Sequence, residues 1–319
     1  MYKQKTITAI SYGDEKFGMS LKVNLMTAKY FGKADKTIAY TPADLPSDFA
    51  KRNNEILKQS RGGGYWLWKP YIILKALETC DDGEYVIYTD SGIIYVGNIK
   101  RLIAQMEKEK KSIFLSMGFA PLKHWCKRDA FELMGVSFEK TGNYPCVSGG
   151  YVLIKKSKET VDFIMQWLHY AEDKRIITDI PNTCGLPNDD GFHEHRHDQA
   201  ILTLLAYQNN ITPYRAVTYV DCPRSHKAVF KNKISNSSYG YSKEELVQYM
   251  KLSRQYSDGE EHRKKRIFIN THLKNTDMFH FSYELFKIVV YTIRIDLWGK
   301  KNDQRILECN IAENDKRGM

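Results

Sequence analysis

Short apolar runs alternate with helical stretches from residue 6 to residue 155, and this alternation constrains the chain more than any other feature. Runs at 6–11, 37–40, 85–89, 112–115 and 149–155 are short and rich in β-branched or aromatic residues, as strands are. Between them lie helical patterns, with Met19, Leu21 and Leu25 as the apolar positions of the first, which ends near Gly32. A second spans 69–77 and starts at a proline near its first turn; a third spans 99–110. Strand–helix–strand order of this kind predicts an α/β fold with a mostly parallel central sheet covered by helices, Rossmann-like in its alternation. An amphipathic helix at 157–170 follows, then a polar loop over 179–191, then a helix at 197–206 with its apolar face inward. Beyond residue 222 the pattern loosens. Residues 1–222 are therefore read as one domain and 223–319 as a helical or irregular extension. The extension holds a basic cluster at 263–266, a strand at 267–270 and an aromatic tail over 279–298.

Two segments carry most of the chemical signal. The first is Arg61-Gly-Gly-Gly-Tyr-Trp-Leu-Trp-Lys-Pro70, where glycines allow close backbone approach and two tryptophans and Lys69 form a stiff, polar-edged surface. The second is Tyr85-Val-Ile-Tyr-Thr-Asp-Ser-Gly92, an apolar strand ending on a carboxylate. Ligands of open α/β sheets bind outside the carboxyl ends of strands, so Asp90, with small neighbours Ser91 and Gly92, points into a candidate site. A carboxylate there can hold Mg²⁺ or Mn²⁺ bridging a diphosphate, because these hard cations need few protein ligands beside phosphate oxygens. Gly92 stands where an Asp-X-Asp motif has its second acid.

A third segment, His193-Glu-His-Arg-His-Asp-Gln199, offers three alternating histidines without the spacing of a zinc motif. The better reading is a polar loop that delivers Asp198 and Gln199 to a helix N-terminus. Asp198 is then either a first-turn acid favoured by the helix dipole, or a group facing a reacting sugar carbon opposite Asp90. Gly149 and Gly150 would leave room for a ligand. His272, at a strand end, is a second candidate metal ligand, and Lys274 a candidate partner for phosphate.

Composition narrows the partners. The aromatic content of 13%, with 21 Tyr, suits the gripping of flat polar ligands such as sugars. A net charge of +10 suits an anionic ligand or membrane surface; the basic residues are scattered and match no nucleic-acid recognition motif. Six widely spaced cysteines form no CxxC pair, which argues against a zinc ribbon or a disulfide framework. The N-terminus lacks the apolar core of a signal peptide, and no run of 18 apolar residues occurs. A cytoplasmic location is expected, with peripheral contact at the inner face of a membrane.

In this order the segments resemble the nucleotide-sugar-dependent glycosyltransferases of the GT-A fold, and among them bacterial enzymes of capsule, O-antigen, lipopolysaccharide or other surface-polysaccharide synthesis. The resemblance covers most of residues 5 to 210 and rests on Tyr12-Gly13-Asp14, Gly64–Pro70, Tyr88–Gly92, Ser148–Ile154 and His195–Gln199. It implies a sugar moved from a nucleotide-diphosphate-sugar to a glycan or lipid-linked glycan acceptor, a hexosyltransferase type of activity. Tyr12 and Asp14 would lie beside base and ribose, Asp90 would bind metal and diphosphate, and His272 would be a late metal ligand. Asp198 and Gln199 match the pair beside the anomeric carbon in retaining members. If no metal binds, Arg61, Lys69 and Lys274 become the diphosphate's partners, with Trp66 alongside. A non-catalytic sugar- or nucleotide-binding protein and a sugar nucleotidyltransferase are the competing readings. The first leaves the acids Asp90 and Asp198 unexplained; the second lacks the Gly-rich basic loop after its first strand.

Overall fold

The computed structural model describes residues 5–95, 97–118, 121–214, 218–220 and 268–270. All fall within the first of two units, Met1–His272 and Leu273–Met319. Strands β1 (Ile7–Tyr12), β2 (Lys36–Tyr40), β3 (Tyr85–Thr89), β5 (Ile113–Phe114) and β6 (Tyr151–Lys155) build one sheet in the order β2-β1-β3-β6-β5. β1 is parallel to both β2 and β3, whereas β6 is antiparallel to β3 and to β5. Four strands thus run one way and β6 alone runs back. The expected α/β class holds, with this one reversal. β4 (Ile93–Tyr95) leaves the end of β3 and pairs antiparallel with β8 (Phe268–Asn270), which pairs in parallel with β7 (Thr218–Val220).

Alternation along the strands divides the core in two. Ile10, Val86, Tyr88, Val152 and Ile154 face one side, where they meet α2 (Trp68–Glu78), α4 (Lys158–Ala171) and α5 (His197–Gln208). Ile7, Ala9, Ile87 and Leu153 face the other, against Ala28 of α1 (Gly18–Tyr30) and Leu102 and Met106 of α3 (Lys100–Lys108). Two expectations about helix faces change. α5 is buried on nearly every side, from His197 through Ala206, because α4 and the short helices Arg128–Leu133 and Lys174–Ile177 enclose it. α1 buries Ser20, Asn24 and Thr27 along with Leu21, Val23 and Ala28, while Met19 and Leu25 are only half-buried. The reason lies at the end of β3, where the polar stripe is needed (below).

The glycine run takes an unusual form. Gly62, Gly63, Gly64, Tyr65 and Trp66 all have positive φ, at 59, 56, 94, 55 and 60°, a left-handed turn that delivers the chain into α2. Left-handed backbone costs an L-residue about 1–2 kcal/mol, so glycine is the natural occupant and Tyr65 and Trp66 carry strain. Gly64 is doubly constrained: a Cβ there would stand 2.6 Å from Leu57 Cα, whereas one at Gly63 meets only Trp68 Nε1 at 3.6 Å. Gly64→Ala should therefore destabilise the fold several times more than Gly63→Ala, whose cost is about 1 kcal/mol of backbone strain. Urea unfolding of the two variants checks this; equal losses would refute close approach as the reason for the motif.

Candidate functional site

The left-handed turn and α2 place Lys69 in the interior, where it is 2% exposed. Its ammonium donates to Asp198 Oδ2 at 2.6 Å and to Gly149 O at 3.0 Å, and lies 3.5 Å from Asp90 Oδ1. One cation thus joins carboxylates from β3's end and from α5, 108 residues apart in sequence by their numbering. Asp198 is also buried, its side chain 5% exposed, whereas that of Asp90 is 43% exposed. The trio carries one positive and two negative charges, and its surplus negative charge is presented on the open side by Asp90.

Burial sets the protonation of this group. It pushes the Asp198 carboxyl up to about 6, against the pull of the Lys69 ammonium beside it. Burial disfavours the charged form of Lys69 as well, but Asp198 and Asp90 together outweigh it and hold the ammonium above its ordinary value. Tyr88, enclosed beneath the trio, donates its hydroxyl to Asp90 Oδ1 at 2.5 Å, and burial followed by the Asp90 charge raises its pKa well above the usual phenol range.

Glycines make the arrangement possible. A Cβ at Gly149 would lie 3.2 Å from both Asp198 Oδ2 and Gln199 Cβ, and one at Gly150 would lie 3.4 Å from Asp90 Oδ2. The start of β6 therefore passes between the two acids. Gly150 O accepts from Asp90 N at 2.8 Å, and Gln199 Oε1 accepts from Gly149 N at 3.4 Å, while the buried Gln199 Nε2 has no hydrogen-bond partner among the described residues.

Asn24 fixes the turn that carries Asp90. Its Nδ2 donates to Ile93 O at 2.7 Å, Thr89 Oγ1 at 2.8 Å and Asp90 O at 3.1 Å, so one amide on α1 holds both sides of the Asp90-Ser91-Gly92 turn. Ile93 N closes the turn onto Asp90 O at 2.9 Å, and Ser11 Oγ donates to Thr89 O at 2.7 Å. This clamp explains the buried polar stripe of α1. Asn24 was not singled out by sequence, and Tyr88 entered only as part of the strand-end segment; a lone amide in an ordinary helix gives no signal of what it will meet.

The structure brings Asp90, Lys69, Gly149, Gly150, Asp198 and Gln199 together, with Ser91 and Gly92 half-buried in the turn. Tyr12 lies alongside, stacked on Trp68 with centroids 3.8 Å apart, and burial pushes its hydroxyl up to about 12. Asp14 caps the next turn by accepting from Lys16 N and Phe17 N. Trp66 packs toward His197, at 5.8 Å between centroids. Arg61 is engaged by Glu194 at 2.6 Å and Asp179 at 3.6 Å, so it braces the histidine segment against the polar loop. His272 and Lys274 lie outside the described residues.

The histidines have structural partners. His195 Nε2 donates to Ile176 O at 2.7 Å and its Nδ1 accepts from Lys127 N at 3.3 Å; His197 Nδ1 donates to Ile177 O at 2.8 Å. They bind the approach to α5 onto the helix Lys174–Ile177. Burial pushes His197 down to about 4 and lowers His195 well below the ordinary value, so both are neutral. Among the described residues no group of three or more His, Cys, Asp or Glu is arranged to hold a metal. Asp90 remains as a single, partly exposed hard ligand.

No protein family matches the sequence, and no curated protein does. Among solved structures the chain is similar to apo mouse xyloside xylosyltransferase 1, with TM-score 0.43 and 11% identity over 84% of this chain and 97% of that one. It is similar also to the apo WbbM bifunctional glycosyltransferase, at TM-score 0.48 and 10% identity over 86% of this chain and 47% of that one. GlyE of Streptococcus pneumoniae TIGR4 gives 0.37 and 14% over 72% and 50%. The chain spans about half the length of the last two. No helix of the described residues is long and apolar enough to cross a membrane.

Proposed function

We propose that this chain is a glycosyltransferase that moves a sugar from a nucleotide-diphosphate-sugar to a glycan or lipid-linked glycan acceptor of a surface polysaccharide, working at the cytoplasmic face of a membrane. The observation that carries the reading is the Asp90–Lys69–Asp198 trio at the carboxyl edge of the sheet. Cleaving a sugar–phosphate bond develops positive charge on the sugar and negative charge on the leaving diphosphate. A preorganised carboxylate near the first, in a water-poor setting, is the largest kind of catalytic contribution a protein can make. Asp198 fits that role because Lys69, itself held by Gly149 O, fixes it and its side chain is only 5% exposed. We assign retention, because an enclosed carboxylate with Gln199 beside it is suited to face a sugar cation rather than to meet an entering hydroxyl. The anomeric configuration of the product, read by NMR, decides this.

The net charge of the trio bears on the metal. A diphosphate brought against a group of net negative charge is repelled unless a cation lies between them. Asp90 would ligate Mn²⁺ or Mg²⁺, with donor phosphates and water completing the shell, and His272 is kept as the second candidate ligand. The ion, when bound, would neutralise charge on the leaving diphosphate. Tyr12, stacked on Trp68, is assigned to the nucleotide base.

The test is thermal stabilisation by a panel of UDP-, GDP-, CMP- and TDP-sugars with and without Mn²⁺, since a ligand of the native state raises the midpoint. One nucleotide should stabilise the chain, more strongly with Mn²⁺, and should be released slowly from its sugar without acceptor. Asp90→Ala should lose both the Mn²⁺-dependent shift and turnover. Stabilisation without any nucleotide release would mark a sugar- or nucleotide-binding protein instead.

A further inference from the structure

The outer face of α1 is the least expected surface of the described residues. Lys22, Met26, Lys29 and Tyr30 recur at i, i+4, i+7 and i+8 and are all exposed, so they form one stripe opposite the Asn24 clamp. Tyr30 and Phe31 are 61% and 57% exposed. Met26, 46% exposed, shares the stripe with Tyr30, whereas Phe17 and Phe31 stand at the two ends of the helix and off the stripe. The same stretch is free of acids. From Gly18 to Lys33 the sequence has no Asp or Glu, while Lys22, Lys29 and Lys33 are exposed. Glu15 precedes the face and Asp35 follows it, and the Asp35 carboxylate accepts from Ile7 N at 2.8 Å.

We infer that this face of α1 docks on an anionic lipid bilayer. Lysines flanking aromatic and thioether side chains on a helix lying in the surface plane are what an interfacial helix requires: apolar groups enter the headgroup boundary while ammonium groups meet lipid phosphates. Each lysine near such a surface adds attraction, and the chain's net charge of +10 steers the approach. A protein partner fits less well. A stable protein interface takes about 800 Å² from each side, and this stripe is a single helix wide and about 20 Å long. Phe17, at the N-terminal end of α1, directly follows the turn capped by Asp14. The docking does not depend on the transferase reading above.

Co-sedimentation of the full chain with vesicles tests the surface. Binding is expected to vesicles of phosphatidylcholine with phosphatidylglycerol, to be weak with phosphatidylcholine alone, and to fall as salt rises. Lys22→Glu/Lys29→Glu should lower the partition coefficient at least roughly tenfold. Met26→Ser/Tyr30→Ser, which keeps the charge, should lower it as well. Both pairs are exposed, so unfolding midpoints should match the parent's. Absence of binding to anionic vesicles, equal binding to neutral ones, or binding that survives both variants would overturn the proposal. So would a parent dimer, seen by sedimentation velocity, that the variants dissociate. Nucleotide-sugar stabilisation should persist in both variants. Vesicle binding without any such stabilisation in the parent would sink the transferase reading and leave this one standing.

Discussion

Lys69→Met should be the most damaging single substitution in the chain. It leaves Asp198 buried without its cation, with Asp90 still close by, and breaking a buried pair from one side costs about 3–5 kcal/mol. The remaining carboxylate will take up a proton to escape that cost, so Asp198 loses its charge as well as its position. Stability and turnover should therefore fall together. Lys69→Met/Asp198→Asn separates the two effects. With both charges gone the interior has no uncompensated ion, and much of the stability should return while activity stays lost. A double-mutant cycle in urea reads the coupling, which for a buried hydrogen-bonded pair should reach about 1–3 kcal/mol. Additive losses would mean that the 2.6 Å contact between Lys69 and Asp198 contributes nothing specific, and the trio could no longer be treated as a unit.

How much of this was legible beforehand varies with the distance over which each feature is decided. Strands β1, β2, β3 and β6 and helices α2, α4 and α5 follow from local apolar patterning and lie within a few residues of their expected places. The reversal of β6 does not. A central strand buried on both faces reads as an apolar run in either direction, so Tyr151–Lys155 carries no sign of its orientation. The strand-end position of Asp90 was readable because ligand sites in α/β sheets gather there. Lys69 was visible as a charged residue in a conspicuous motif, but its partner Asp198 lies 129 residues away, and only the tertiary fold shows that it bridges two acids. The glycine run announced an unusual backbone without announcing that Tyr65 and Trp66 would share its left-handed turn. Asn24 gave no signal, because its three acceptors are supplied by a strand and a turn far along the chain.

Asp198→Asn should cut turnover by roughly 10²–10⁴-fold, the range of a positioned charged group in a transition state, while donor stabilisation of the folded protein persists. The parent's pH dependence offers a sharper reading. Because burial raises the Asp198 carboxyl to about 6, its charge, and with it the activity, should disappear as pH falls through that value. The sign of linkage distinguishes this from unfolding. Asp198 binds its proton more readily in the folded protein than in the unfolded chain, where its ordinary value applies, so protonating it favours the fold between those two values. Activity should thus be lost near pH 6 with circular dichroism unchanged, and the residual activity of Asp198→Asn should lack that limb. If the limb persists in the variant, its origin lies in another group. An unchanged rate in Asp198→Asn would confine Asp198 to partnering Lys69, and the charge that faces the reacting sugar would have to come from Asp90 alone.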